Sequence, residues 1–276
     1  MSSPTTRTVD ESDAWSQEDY ADLTQASLAY AARSLSPGLD PVEAGGHTID
    51  AVAFRRALIA WGREHFRPFP WRLTEDPYCI LMAEVMLHRT QAPQVVPVYE
   101  RFIARYPDVP ALARATREEL HAALYSLGLR WRIDLIQAMA AELRTHFEGQ
   151  IPREKADLLS LPGVSEYIAG AVRCFAWNLP EPLVDTNTVR VVGRLFGLEV
   201  RDSSRRNRRF WKLITALVDP DEPRAYNYAL LDLAEQVCMK KRPPKCVRCP
   251  VQKYCVYGTN ALANPGTGQR NQRLDD

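Results

Sequence analysis

The run LPGVSEYIAGAVRCFAWNLPEPLVDTNTVRVVGR, residues 161–194, decides how this chain folds. It opens on a tight apolar turn, Leu161-Pro162-Gly163-Val164, and continues with apolar residues at Ile168, Ala171, Val172, Phe175 and Ala176. Those positions fall at i, i+3, i+4, i+7 and i+8, the period of an amphipathic helix. Ahead of the turn, KADLLSL reads as the end of another helix, so the local prediction is helix, Pro-Gly hairpin, helix. Such a hairpin presents consecutive backbone N–H groups at the start of its second helix, where the macrodipole also favours an anion. A phosphate is the natural guest. The segment then breaks at Pro180 and Pro182 and reaches a lone carboxylate, Asp185, among Leu183, Val184 and Val189.

Outward from this stretch, helical patterns recur. AVAFRRALIAWGREHF reads as an amphipathic helix that ends at Pro68, Phe69, Pro70 and Trp71. YCILMAEVML is apolar all round except Glu84, which predicts a buried helix carrying one ionisable group. A buried carboxyl either finds a partner such as a nearby Arg or has its pKa raised until it is neutral. Helices follow at 117–124 and 133–147, separated by SLGLRWR, and again at 189–198 and 211–218. RDSSRRNRRFWK carries Arg201, Arg205, Arg206, Arg208, Arg209 and Lys212 against Asp202, a phosphate-contacting face or a merely solvated one.

The net charge of +1 conceals an asymmetry. Residues 1–50 hold nine acids against Arg7 and Arg33, so they carry −7 and the remainder +8. A basic body suits a polyanion. Residues 1–48 are rich in Ser, Thr, Pro, Gly and acids and read as a disordered acidic extension, with a short helix near 22–33. Residues 259–276 read as a disordered polar tail. No apolar run reaches membrane-spanning length and no signal peptide is visible, so the expected setting is the cytoplasm.

Four of six cysteines are grouped: Cys238, Cys246, Cys249 and Cys255, spaced C-x7-C-x2-C-x5-C. In a mainly helical chain without a secretion signal this argues for a metal rather than disulfides. Zinc sites favour two separated C-x2-C knuckles, so the unequal gaps fit the corners of a 4Fe–4S cubane better, with zinc as the alternative. The loop also carries Lys240, Lys241, Arg242, Lys245, Arg248 and Lys253. Cys79 and Cys174 lie in apolar helices and read as buried packing residues.

LPGVSEYIA followed by LVD resembles the helix-hairpin-helix signature of the base-excision DNA glycosylases related to endonuclease III, with Ser165 where the family has a second glycine. FPWRLTEDPYCILMAEVMLHRTQ is similar to a helix of the adenine and the thymine–guanine mismatch glycosylases, in which a Glu at the place of Glu84 faces the flipped base. The family's cluster loop has one residue fewer in its first gap than MKKRPPK here. The resemblance implies an all-α, two-lobed fold. Residues 73–180 would form a six-helix bundle with the hairpin at 161–165, and 49–72 would join 181–258 in an iron–sulfur lobe. It implies double-stranded DNA with a mismatched or damaged base as partner and a monomeric state. Gly163, Val164 and Ser165 would contact phosphate. Arg89 and Gln91 of the HRTQ turn would contact DNA, with Arg89 facing the widowed base, and Leu129 would be the wedge in the opened step.

An N-glycosidase must extrude its nucleotide and then stabilise positive charge on the sugar. The resemblance gives that task to Asp185 and places Glu84 at the leaving base. Bifunctional relatives carry a lysine where this chain has Tyr167, and a tyrosine cannot form a Schiff base. Tyr at this position, together with VDTN, is similar to the mismatch enzymes. The adenine enzymes that act opposite oxidised guanine append a further recognition domain, whereas this sequence stops 21 residues after Cys255. The expected function is therefore a monofunctional glycosylase removing T or U opposite G. The alternatives are an A/G-specific adenine glycosylase and a non-catalytic iron–sulfur DNA-binding protein.

Overall fold

The structure, a computed structural model, describes residues 41–128 and 132–263. Its first element is a β-hairpin, β1 (Pro41–Ala44) and β2 (His47–Asp50), paired antiparallel with Val42 opposite Ile49. The two-residue turn is Gly45-Gly46, both with positive φ (63° and 75°), the conformation a tight hairpin needs and glycine supplies without strain. Val42, Ala44 and Ile49 are buried. This corrects the expectation of a disordered extension through residue 48. Alternation of apolar residues over four positions is a weak signal beside the acid- and Ser-rich composition upstream. The helix anticipated at 22–33 lies outside the described residues.

Helix α1 (Ala51–Glu64) starts at Asp50, whose side chain accepts from the Val52 and Ala53 amides at 3.0 and 3.2 Å. After a 3-10 turn (Pro70–Arg72), α2 (Pro77–Leu87) is capped by Asp76 with Pro77 at its first position, where a missing N–H costs nothing. Helices α3 (Ala92–Arg105), α4 (Val109–Ala113), α5 (Arg117–Leu124), α6 (Ile133–His146), α7 (Lys155–Ser160) and α8 (Glu166–Trp177) follow. The stretch 73–180 thus contains seven described helices rather than six, because the chain takes the extra short turn α4 between α3 and α5. The cluster-side helices are α9 (Thr186–Phe196), α10 (Arg208–Leu217), α11 (Pro223–Gln236) and α12 (Val256–Ala263). Residues 259–263, expected in the disordered tail, belong to α12; the rest of that tail lies outside the described residues.

The buried apolar side chains form two cores. One gathers residues from 71 to 183 together with Tyr228; the other gathers 42–59 with 184–251. Leu183 and Val184 are consecutive yet belong to different cores, and Asp185 follows immediately. Helix α8 packs on α2 within the first core, and α11 lies along α1 within the second. Cross-ties hold the two together. Tyr228 of α11 stacks on Phe175 of α8, with ring centroids 4.1 Å apart and planes within 12°. Such a pair contributes about 0.5–1.5 kcal/mol beyond its buried area. Asn227 donates to the Glu181 carbonyl at 3.2 Å, and Arg224 donates to the Ala176 carbonyl at 3.0 Å. Both sides of the seam are therefore held in fixed register, which a site built across it requires.

Candidate active site

The hairpin is as its sequence predicts. The Val164 amide donates to the Leu161 carbonyl at 3.1 Å, and Gly163 takes φ 83°, a region a Cβ would disfavour. Ser165 is the N-cap of α8, its Oγ accepting from the Ile168 amide at 3.3 Å, so the residue that replaces the family's second glycine closes the helix start. Gly163 and Ser165 are exposed.

Two residues into α8 stands Tyr167, half-buried against the first core. Glu84 enters from the middle of α2, a helix whose other inward positions are apolar, and is 6% exposed. Burial pushes its carboxyl up to about 7; nearby Asp185 acts in the same direction and Arg72 in the opposite one. Burial, reinforced by Glu84 and Asp185, raises the Tyr167 phenol well above its usual value, so it keeps its proton. Asp185 is held quite differently, at the first position before α9. Its Oδ1 accepts from the Asn187 and Thr188 amides at 2.8 and 2.7 Å, and its Oδ2 from Asn187 Nδ2 at 2.8 Å. Three donors and a helix start fix this half-buried carboxylate in one orientation. The structure thus brings Glu84, Tyr167 and Asp185 within electrostatic reach of one another.

Several members of the site carry no local signal in the sequence. Arg72, at the end of the FPWR run, donates to both oxygens of Asp232 at 2.9 Å, and its guanidinium lies 4.6 Å from the centre of the Tyr228 ring. Asp232 is fully buried in α11 and also accepts from Arg67 Nε at 2.5 Å. It lies in ALLDLAEQ with a second acid, Glu235, close by, and its partners lie some 160 residues away.

From Asp185 a hydrogen-bonded path leads to the cysteines. Asn187 Oδ1 accepts from Arg190 at 3.1 Å, and Arg190 Nε donates to the Cys238 carbonyl at 3.0 Å. One turn further along α9, Arg194 donates to Cys238 Sγ at 3.3 Å and to the Met239 carbonyl at 2.9 Å. Cys238, Cys246, Cys249 and Cys255 line a single small cavity with Arg194, Val237 and Gly258, and all six cysteines of the chain are free thiols. Among the described residues no three His, Cys, Asp or Glu side chains converge tightly enough to hold a single metal ion. Burial pushes the Cys249 thiol up to about 12 and Cys255 up to about 11. Thiols buried like this become thiolates only with a cationic centre among them. The donor set, the common cavity and the donors to two of the sulfurs (Arg194 to Cys238, and the Gly258 amide to Cys255 at 3.3 Å) fit a multi-metal cluster. Cys174 is fully buried, whereas Cys79 is only half-buried, against the expectation for it.

HRTQ, residues 88–91, follows directly on α2. Arg89 is exposed in a left-handed conformation (φ 62°), unusual for a residue with a side chain, and Gln91 is exposed at the start of α3. The His88 pKa is lowered by partial burial and by three cations facing it, Arg132, Arg89 and Arg205. Arg205 belongs to the opposite side of the seam, so positive charge meets at His88 from both sides. Leu129, the expected wedge, lies outside the described residues.

Comparison with known proteins agrees with this architecture. The profile of the HhH-GPD superfamily base excision DNA repair proteins matches residues 82–216. The chain is 39% identical over 217 residues to the thymine/uracil-DNA glycosylase of Pyrobaculum aerophilum, spanning 76% of this chain and 93% of that one. It is 34% identical over 216 residues to the adenine DNA glycosylase of Rattus norvegicus, spanning 75% of this chain and 42% of that one. Among solved structures, a thermostable thymine-DNA glycosylase superposes with a TM-score of 0.70 at 31% identity, covering 76% of this chain and 97% of its own. An endonuclease III–DNA complex superposes at 0.65 and 24% identity, a likeness of fold. The chain is a member of the HhH-GPD superfamily and a DNA glycosylase of base excision repair.

Proposed function

We propose that this glycosylase is monofunctional and removes thymine or uracil opposite guanine by hydrolysis. The observation that carries the reading is the composition of the site: two carboxyls in contrasting seats with a protonated tyrosine, Tyr167, and no lysine at that position. The flipped nucleotide enters the seam with C1′ beside Asp185 and its base toward Glu84. As the N-glycosidic bond lengthens, positive charge grows on the sugar and the oriented Asp185 carboxylate stabilises it. The leaving pyrimidine carries negative charge, and Glu84, half protonated near neutrality, donates to it. Water then adds to C1′, giving up its proton to Asp185. The phenol of Tyr167 cannot add to C1′ as an imine-forming amine does, so the strand stays intact.

Gly163, Val164 and Ser165 hold a backbone phosphate at the start of α8, Arg89 and Gln91 approach the DNA from the HRTQ turn, and Leu129 fills the opened step. Cys238, Cys246, Cys249 and Cys255 would hold a 4Fe–4S cluster, which in this site supplies structure by fixing the loop that carries Cys238 against α9.

The test is a panel of duplexes bearing T·G, U·G, A·G and A·oxidised-G. Free base should be released from T·G and U·G without strand breakage until alkali is added, and borohydride should trap no protein–DNA adduct. Excision confined to adenine would overturn the substrate, and a trapped adduct would overturn the hydrolytic chemistry.

A further inference from the structure

Asp232 is the one acid among the described residues with no surface open to solvent, yet it stands on α11, apart from the elements that carry Glu84, Tyr167 and Asp185. Two cations serve it. Arg72 donates to both its oxygens at 2.9 Å, and Arg67 donates through Nε at 2.5 Å and through its backbone amide at 3.3 Å. A plain staple between the FPWR run and α11 would be complete with one arginine. Two arginines around one carboxylate leave a surplus positive charge, and its direction is set by geometry. The Arg67 side chain is 28% exposed and shares its charge with water, whereas Arg72 is 5% exposed and packed over the rings of Tyr228, Phe66 and Phe69. A charge in so dry a seat is screened weakly and acts on what it faces.

Its effect reaches Glu84. The charged groups acting on that carboxyl are Arg72 from the 3-10 turn and Asp185 from the start of α9; Tyr167 and Cys174 from α8 and Tyr228 from α11 in turn feel the charge of Glu84. Arg72 is the cation in that set and opposes the effect of burial. Arg72 and Tyr228 also line a cavity of about 360 Å³ with Gly62, Arg63, Phe66 and Arg224. The guanidinium thus borders open space on one side, and the bidentate bond to Asp232 holds it in place.

We propose that Asp232 is a positioning residue for Glu84: by clamping Arg72 and absorbing part of its charge, it sets how much positive charge the Glu84 carboxyl meets. This rests on the reading of Glu84 as the proton donor to the leaving base. Neutralising Asp232 while keeping its shape leaves Arg72 bonded but uncompensated, and Glu84 then gives up its proton more readily. Removing the Arg72 charge does the reverse. The two substitutions act on opposite ends of one contact, so a purely structural role would make both weaken the protein in the same way.

The experiment titrates Glu84 in the full chain without DNA, by NMR of carbon-13-labelled glutamate with Glu84→Gln to assign the signal. Single-turnover pH profiles on a T·G duplex are recorded alongside. Asp232→Asn should lower the Glu84 midpoint and Arg72→Gln should raise it, each by about one pH unit, while Asp232→Glu should restore it. Arg67→Gln, at a partly exposed position that tolerates change, should raise the midpoint by leaving Asp232 wholly to Arg72, and it serves if Asp232→Asn does not fold. Midpoints that do not move, or that move together for Asp232→Asn and Arg72→Gln, would overturn the clamp. Midpoints that move as expected without any matching move in the excision profile would uphold the clamp and refute the proton-donor reading.

Discussion

Asp185 and Glu84 carry the same functional group within electrostatic reach of each other, but their seats are built on opposite principles. Asp185 stands at a helix start, half-buried, with three donors on its two oxygens. Glu84 stands mid-helix, 6% exposed, among side chains that offer it burial and one partly committed cation. Polar seats favour a fixed anion and apolar seats favour a neutral acid. One residue type thus serves two chemistries according to where it stands on a helix.

The largest effect should come from the polar seat. Asp185→Asn keeps a side chain able to cap α9, so the fold and DNA binding should persist, but the charge that stabilises the sugar cation is gone. Single-turnover excision should fall by about three orders of magnitude or more. Near-normal excision would remove Asp185 from the chemistry.

The next effect probes what holds the polar seat. Asn187 orients Asp185, Arg190 orients Asn187, and Arg190 is anchored on the cysteine loop at Cys238 and on Ala234. Arg190→Gln should cost about ten- to a hundredfold in excision, as outer-shell substitutions at such sites do. It should also reduce the iron content of anaerobically purified protein below the roughly four atoms expected of a cubane cluster. Full activity with full iron would show that the path from Asp185 to Cys238 carries no function.

A smaller effect concerns the hairpin. Ser165→Ala removes the cap on the Ile168 amide and should lower unfolding free energy by about 1 kcal/mol. Ser165→Gly, the family's own residue, should cost only a few tenths. An alanine variant as stable as wild type in urea titration would mean that the cap is redundant.

Which features could be read from sequence follows from the same contrast. The hairpin at 161–165, the buried helix around Glu84 and the cysteine group are local patterns, and all but the last act through neighbours three or four residues away. The β-hairpin at 41–50 escaped because Gly45-Gly46 sits in a composition that reads as disorder, although GG between short alternating runs is a turn signal. Arg72, Asp232, Tyr228, Asn187 and Arg190 escaped for a deeper reason. Arg72 meets Asp232 across 160 positions and Arg190 meets Cys238 across 48, and no periodicity encodes such meetings.

The most direct test of two carboxyls with divided labour is the pH dependence of single-turnover excision, measured for wild type and Glu84→Gln on the same T·G duplex. Glu84 titrates near 7 in the folded chain against a reference of 4.5, so its proton is lost as pH rises through 7. The folded state binds a proton that the unfolded chain has released across that window. Its contribution to stability is therefore full below about 4.5 and gone above 7, whereas excision that needs the proton should stay level up to about 7 and fall only beyond it. Wild-type excision should decline tenfold per pH unit above about 7, and Glu84→Gln should be slower near neutrality but flat through that range. Matching profiles in the two proteins, both falling or both flat, would contradict the account.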